Sequence, residues 1–469
     1  MRDTATNNAP QLAPATAQLS PWTKLLYGAG DTGFSLTGTI IGAYFLIVLT
    51  DVVGVPPAVA AIAIFVGRTW DYVNDPIIGH ISDRTRTRWG RRRPFLLFGA
   101  LPFALAFTLL WWRPPVDNLA LLTAYYALAY VLFDTSATFV YMPYFALTPE
   151  LTAGYDERTS LTSYRMFFSI LGSLVAFTIP LLIIGKLEPR NAPRVLIMGL
   201  IFGLVSAAPL LLVFFGTRER PEFMQQARPA LRDSLRAALH NRVFLLGLLI
   251  FLLTWVSVEI LQVTLLYFIK YVVQREPHSD LVMATIFVTA ILTLPLWNWA
   301  SRRWGKRSAY IVGIAFWAAV QVGLILLNPF TPLAVLIGIC FLAGIGVAAA
   351  HVLPWSMIPD AVEWGEWQTG ERHEGMLYSL VTLVYKATAS LAIPVVGLIL
   401  QFTGYAPNAA QQPPSALLGI RLAVGPLPAL LLCLGILVAR RYPLTRATYA
   451  QVARDLAERR TAAIAAEAR

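Results

Sequence analysis

"RTWDYVNDPIIGHISDRTRTRWGRRRPF", residues 68–95, follows a long apolar run. Asp71 and Asp75 are four residues apart, which puts both carboxylates on one face of a helix. Arg84, Arg86, Arg88, Arg91, Arg92 and Arg93 follow at once. Acids inside an apolar segment are costly, and a block of arginine at its end marks the cytoplasmic side of a membrane crossing. The stretch therefore predicts a transmembrane helix with a functional acidic pair, ending inside the cell.

The composition agrees. The 469 residues are 57% hydrophobic and 13% charged, with a mean hydropathy of +0.61. Soluble domains carry about 25% charge, so this is a membrane composition. The net charge of +11 sits mostly in short links between apolar runs, so membrane topology accounts for it and nucleic acid is not expected as a partner. Cys340 and Cys433 both lie in apolar runs, show no disulfide framework or metal-ligand spacing, and read as packing residues. The first apolar segment is too long, and its flank too weakly basic, for a cleaved signal peptide. Residues 1–19, rich in Ala, Thr, Asn and Pro, read as a disordered tail.

Crossing the bilayer core takes about 20 apolar residues. Candidate spans lie near 22–49, 56–83, 94–112, 119–148, 160–185, 194–216, 242–272, 281–301, 308–327, 331–359, 375–402 and 416–439. The expected architecture is an all-α membrane protein of twelve transmembrane helices in two pseudo-symmetric six-helix bundles. The bundles occupy 20–216 and 242–440, joined by a basic, partly helical linker at 217–241 and followed by a cytoplasmic tail at 441–469. Arginine-rich links follow even-numbered spans, as at 84–93 and at Arg302, Arg303, Lys306 and Arg307, while "TDVVGVPP" and "NPFTP" carry no basic residue. Both termini are then cytoplasmic in a bacterial inner (plasma) membrane. "RWGRRRPF" at 88–95 and "RWGKRSAY" at 303–310 fall at equivalent places in the two halves, and parallel repeats of this kind are a transporter architecture.

An ionisable residue at the bilayer centre costs about 2.5–3.5 kcal/mol on insertion scales and is a functional candidate by default. Asp75 lies roughly 12 Å and Asp71 roughly 18 Å from the inner end of span 2 at 1.5 Å per residue. Lys386 lies roughly 17 Å into span 11, and Asp31 roughly 14 Å into span 1. Three acids and one lysine at a common depth keep net negative charge, which attracts a cation or a proton. A static ion pair locking two helices would need only one acid. Glu259, in the outer half of span 7, and Arg165, about two turns into span 5, are substrate-path candidates; each could equally bond a neighbouring helix or reach the interface. His80 and His351 have no partner at metal-ligand spacing and read as packing residues.

With these residues in place, the sequence resembles the glycoside–pentoside–hexuronide:cation symporters of the major facilitator superfamily, melibiose permease-like proteins whose wider group includes sodium-coupled lysolipid transporters. The resemblance spans nearly the whole chain: "TKLLYGAGDTG" and "YFLIVLTDVVGV" in helix 1, the 68–95 stretch, "PDAVEWGEWQTGERHEGMLYSL" between helices 10 and 11, and "GYAPNAAQQPPSALLGIRLAVGPLPALLL" at the end. It implies a cation site at Asp71 and Asp75, assisted by Asn74 and Thr138, with Lys386 as the coupling lysine and Arg165 as the helix-5 arginine. The coupling ion implied is Na⁺ or H⁺, with Na⁺ as the metal at Asp71 and Asp75, and no other cofactor. The two carboxylates that hold a galactoside in melibiose permease fall on Ser35 and Tyr141 here, and Asp31, one turn before Ser35, is a possible substitute. Trp70, Tyr141, Tyr144, Trp255 and Tyr385 suit either a sugar ring or an acyl chain.

The leading expectation is cation-coupled symport of a sugar, glycoside or uronide by alternating access; the alternative is transport of a lysophospholipid or another amphiphile. A membrane enzyme would need catalytic groups in a water-facing loop. The acidic loop of Asp360, Glu363, Glu366, Glu371 and Glu374 has no metal signature and reads instead as a gate facing the arginine links. A regulatory membrane protein without transport would have an altered cation site, whereas Asp71, Asp75 and Lys386 are all present. Gating candidates are Asp83, Arg84, Arg91, Arg92, Asp360 and Glu363, with Glu150 as a further acid. The expected partners are a small-molecule substrate, a monovalent cation and membrane lipid, with the protein a monomer.

Overall fold

The structure, a computed structural model, describes residues 19–151, 155–219, 239–370, 374–409 and 411–467. Residues 1–18 of the expected tail at 1–19, residues 220–238 of the linker at 217–241 and residues 468–469 fall outside that set. Ser20 caps the first helix by accepting from the Thr23 N–H at 3.0 Å, with Pro21 at the first helical position. That helix, α1 (Pro21–Ile40), continues through π-helical stretches Ile41–Phe45 and Val48–Val53 to Gly54. Then come α2 (Pro57–Arg84), α3 (Arg93–Leu110), α4 (Leu119–Leu151), α5 (Tyr155–Ile184) and α6 (Ala192–Gly216). The second set is α7 (Arg242–Tyr267, continued by π-helical Phe268–Val272), α8 (Ser279–Trp304), α9 (Lys306–Gly323), α10 (Leu333–Thr369) and α11 (Glu374–Phe402). It ends with α12 (Pro414–Val424), α13 (Pro426–Arg440) and α14 (Arg446–Glu467).

The described residues are all-helical apart from links, as expected, with one isolated bridge between Thr87 and Gly90. Two boundaries differ from expectation. The last span is two helices, because Pro426 lacks the N–H that a continuous helix needs and Gly425 turns the chain at φ −114°, ψ −84°. And α10 runs on to Thr369, where Gly370 closes it in the left-handed conformation at φ 76°. Asp360, Glu363 and Glu366 therefore lie on a helical extension and not in a loop.

Among the described residues ten helical segments are long and apolar enough to cross a membrane. Outside that set are α1, interrupted by π turns, and α2, which carries Arg68, Asp71, Asp75, Asp83 and Arg84. Phe98, Leu101 and Leu105 on α3, and Ile197, Ile201 and Leu204 on α6, form outward stripes at helical spacing with exposures of 41–61%. Such stripes would be a liability in water and are solvated by lipid, so this is an integral membrane protein.

Within the first six helices α1 packs on α5 and α6, α3 on α4 and α6, and α2 on α4. Within the second set α7 packs on α10, α11 and α13, and α8 and α9 on α10. The sets meet where α2 lies on α11, α5 on α8, and the π-helical end of α1 on α7. The two Arg-Trp-Gly turns both need their glycine: Gly90 has φ 106° and Gly305 φ 83°, conformations that side chains with a Cβ rarely adopt. We call the membrane face bearing these turns the basic end and the opposite face the far end.

Candidate cation and substrate site

Helix periodicity places Asp71 and Asp75 together near the middle of α2, and the packing of α2 on α11 brings Lys386 to them. Lys386 Nζ donates to Asp75 Oδ2 at 2.5 Å and pairs with Asp71 Oδ2 at 2.7 Å. Thr138, from α4, donates toward Oδ1 of both aspartates at 3.3 Å. The three charged side chains are 16–26% exposed, so they are neither sealed nor on the surface. Asn74 is buried, and its Nδ2 points to the Asp134 carbonyl at 3.5 Å. Two carboxylates share one ammonium, so the trio carries one excess negative charge when all are ionised. Among the described residues no three His, Cys, Asp or Glu side chains are gathered to hold a metal alone. A cation here would take oxygens from Asp71, Asp75 and Thr138, a hard-oxygen set suited to Na⁺ or a proton and not to a transition metal.

Asp31 does not belong to this cluster. Its Oδ1 accepts from Arg165 Nη2 at 3.2 Å, and the Arg165 guanidinium lies over the Phe145 ring at 4.6 Å. Two groups expected to serve the cation and the substrate thus neutralise each other, because α1 packs on α5. The third acid near the trio is Asp134 on α4, in electrostatic reach of Asp71, Lys386, Asp75 and Arg68. Its Oδ2 is buried without a hydrogen-bond partner. Asp134 stands in the middle of "YVLFDTSATF", and the cost of a mid-span charge marks it as plainly as it marks Asp75.

The substrate-facing expectations separate in the same way. Ser35 is buried and spends its hydroxyl on the Asp31 carbonyl of its own helix at 2.9 Å. Tyr141 is buried among Phe34, Phe103 and Phe145. Both are packing groups of the first bundle: Ser35 faces Gly172 of α5 from α1, and Tyr141 on α4 turns toward α1 and α3. Trp70 is 38% exposed and donates to Thr135 on α4 at 2.9 Å.

On the other side Trp255 and Tyr385 meet edge to face at 5.0 Å, and Trp255 also meets His351 at 4.9 Å. The Trp255 indole N–H is buried and unpartnered. Glu259, buried one turn beyond Trp255 on α7, is in electrostatic reach of Arg68 of α2, whose Nε donates to the Tyr130 hydroxyl at 2.8 Å. Arg68, in the opening stretch itself, is therefore a further charged residue at the meeting of the two helix sets. No spacing rule pairs it with Glu259, 191 positions later by numbering.

At the basic end the arginine link is held by a group the sequence did not single out. The backbone N–H groups of Arg91, Arg92 and Arg93 donate to the Glu219 carboxylate at 2.6, 2.7 and 2.9 Å. Arg92 also donates to Ser82 at 2.5 Å, and Arg84 is exposed. Asp360 pairs with Lys306 at 2.6 Å within its own half, and Glu363 accepts from the Tyr449 hydroxyl at 2.8 Å. In this structure these two acids take their partners from α9 and α14. The side chains of Asp83, Glu150, Glu371 and Glu374 lie outside those described.

A family model for MFS/sugar transport proteins matches residues 26–446. The chain belongs to that family. An uncharacterized symporter of Synechocystis sp. is 33% identical, the match covering 93% of this chain and 96% of that one. The sodium-dependent lysophosphatidylcholine symporter 1-A of Danio rerio is 30% identical over 91% of this chain and 86% of its own. Among solved structures a D-xylose-proton symporter matches with a TM-score of 0.67 at 15% identity, covering 90% of this chain and 96% of that one. At that identity the likeness shows the family's fold alone.

Proposed function

We propose that this protein is a secondary active transporter that couples symport of a small molecule to Na⁺ or H⁺ at Asp71, Asp75 and Lys386. The observation that carries the reading is the double contact of Lys386 with both aspartates at the junction of α2 and α11. The lysine occupies the position a cation would take. A cation that replaces it frees α11 from α2, and a substrate that prefers the rearranged junction is thereby linked to the cation. The same linkage makes substrate tighten the hold on cation. Thr138 keeps the carboxylates oriented, Asn74 reaches from α2 to the Asp134 carbonyl of α4, and Arg68 with Asp134 sets the charge around them. The melibiose permease-like pattern of "RTWDYVNDP" supports this assignment, as do the symporters among the relatives.

For the cargo, a sugar, glycoside or uronide fits the family description and the Trp255, Tyr385, Glu259 and Arg68 set, which offers a ring face and charged hydrogen-bonding groups. A second reading, a lysophospholipid or similar amphiphile, is favoured by two observations. Ser35 and Tyr141 are spent on packing, and Asp31 on Arg165, so the first bundle offers no free acceptor pair for vicinal hydroxyls. A shallow, open apolar depression on the outer surface between α2 and α4, lined by Val59, Ile62, Val66 and Leu119 among others, also suits an acyl chain. Uptake into proteoliposomes of labelled sugars, uronides and lysophospholipids, each with an imposed Na⁺ or H⁺ gradient, tests both. Gradient-driven accumulation of one class assigns the cargo. Equilibration without accumulation under either gradient refutes symport.

A further inference from the structure

Asp51, at the end of the π-helical part of α1, is fully buried. Its Oδ2 accepts from Lys270 Nζ at 2.6 Å and from the Tyr271 hydroxyl at 2.5 Å. Its Oδ1 accepts from the Tyr405 hydroxyl at 2.5 Å and the neighbouring Thr50 hydroxyl at 2.9 Å. Asn408 donates to the Asp51 carbonyl at 2.5 Å, and Lys270 also reaches the Leu187 carbonyl, after α5, at 2.7 Å. Apart from Thr50, every donor to Asp51 comes from the second set of helices. At the junction of α11 with α2, Gly397 lies so close that a Cβ there would be 2.6 Å from Ala61 Cβ. By sequence alone Lys270 belongs to span 7 and Asp51 to a link without basic residues, and nothing in either segment joins them.

We propose that Asp51, Lys270, Tyr271, Tyr405 and Asn408 form a breakable polar latch that holds the far end of the transporter shut. This rests on the alternating-access reading above. The cluster joins the two halves at the far end in this structure, and separation of the halves there removes all the cross-half bonds to Asp51 together. A carboxylate, an ammonium and hydroxyls regain hydrogen bonds from water when the cleft opens, so parting them strands no unsatisfied group. An apolar seal of the same area would have no such compensation. Losing one charged partner while the other stays buried disfavours the closed form, since the remaining charge is better off hydrated.

The test uses full-length protein in lipid nanodiscs with Cys433→Ala and Ala61→Cys. Ala61 is 1% exposed and sits on the seam; Cys340, 3% exposed inside the second bundle, reports unfolding. Maleimide labelling is timed for this background and with Asp51→Asn, Lys270→Met or Tyr405→Phe added. The latch predicts that labelling at position 61 accelerates at least tenfold for Asp51→Asn and Lys270→Met, and less for Tyr405→Phe, while Cys340 stays protected. A charge variant in which both sites speed up together has lost its fold, and the milder Tyr405→Phe then decides. Absence of a selective rise at position 61 in all three variants overturns the latch. No cargo or ion gradient is used, so a failed uptake experiment and a failed latch are told apart.

Discussion

Asp75→Asn isolates the charge at the proposed cation site. The asparagine keeps the shape and an oxygen for Thr138 and Lys386, and removes one negative charge. A cation about 4 Å from a unit charge gains about 4 kcal/mol at an effective dielectric of 20. Part of that is returned, because Asp75 also holds the competing Lys386 at 2.5 Å and the variant loosens that competitor. The 23% exposure of the Asp75 side chain screens the remainder further. The net loss is about 2–3 kcal/mol, which is about 30- to 150-fold weaker cation affinity. The assay is substrate affinity at low and high Na⁺ at two pH values, for wild type and variant, in detergent and in proteoliposomes. The expected result is that Asp75→Asn loses cation stimulation of substrate binding while cation-independent binding or exchange survives. Full wild-type response to both Na⁺ and pH in this variant would refute the coupling role and leave Asp71, Asp75 and Lys386 as a static clamp between helices.

Lys386→Met leaves two carboxylates facing each other without their ammonium, so Na⁺ should raise the thermal unfolding temperature of this variant more than that of wild type; an equal rise counts against competition between lysine and cation. Glu259→Gln, which removes the buried charge in electrostatic reach of Arg68, should weaken substrate binding and leave the Na⁺ dependence of stability intact, as read by binding and melting curves on the same preparation. Glu219→Ala removes the acceptor of three backbone N–H groups and should cost about 1.5–3 kcal/mol, seen as a lower melting temperature without a change in cation affinity. Gly305→Ala forces a Cβ into a φ of 83° and should cost about 1–3 kcal/mol by the same measurement, with Gly90→Ala costing more because its Cβ also meets the Glu219 carboxylate.

The helical plan and one part of the site were legible in the chain because their physical causes are local. A span is written in some 20 consecutive residues, and the cost of a mid-span charge marks Asp71, Asp75 and Lys386 wherever the other helices lie. The same rule applied to "YVLFDTSATF" would have found Asp134. Helix phase, too, is local, so the shared face of Asp71 and Asp75 followed from a spacing of four. Partner choice is not local. Asp31 pairs with Arg165 because α1 packs on α5, and Asp360 with Lys306 because α9 packs on α10. Ser35 and Tyr141 turn into the first bundle for the same reason. The cluster at Asp51 gathers residues up to 357 positions apart in sequence, each unremarkable in its own segment. The sequence by itself determined which residues cross the membrane and which charges have to be compensated there. Only the tertiary structure decided which charge compensates which, because helix packing brings together side chains that no periodicity of the chain relates.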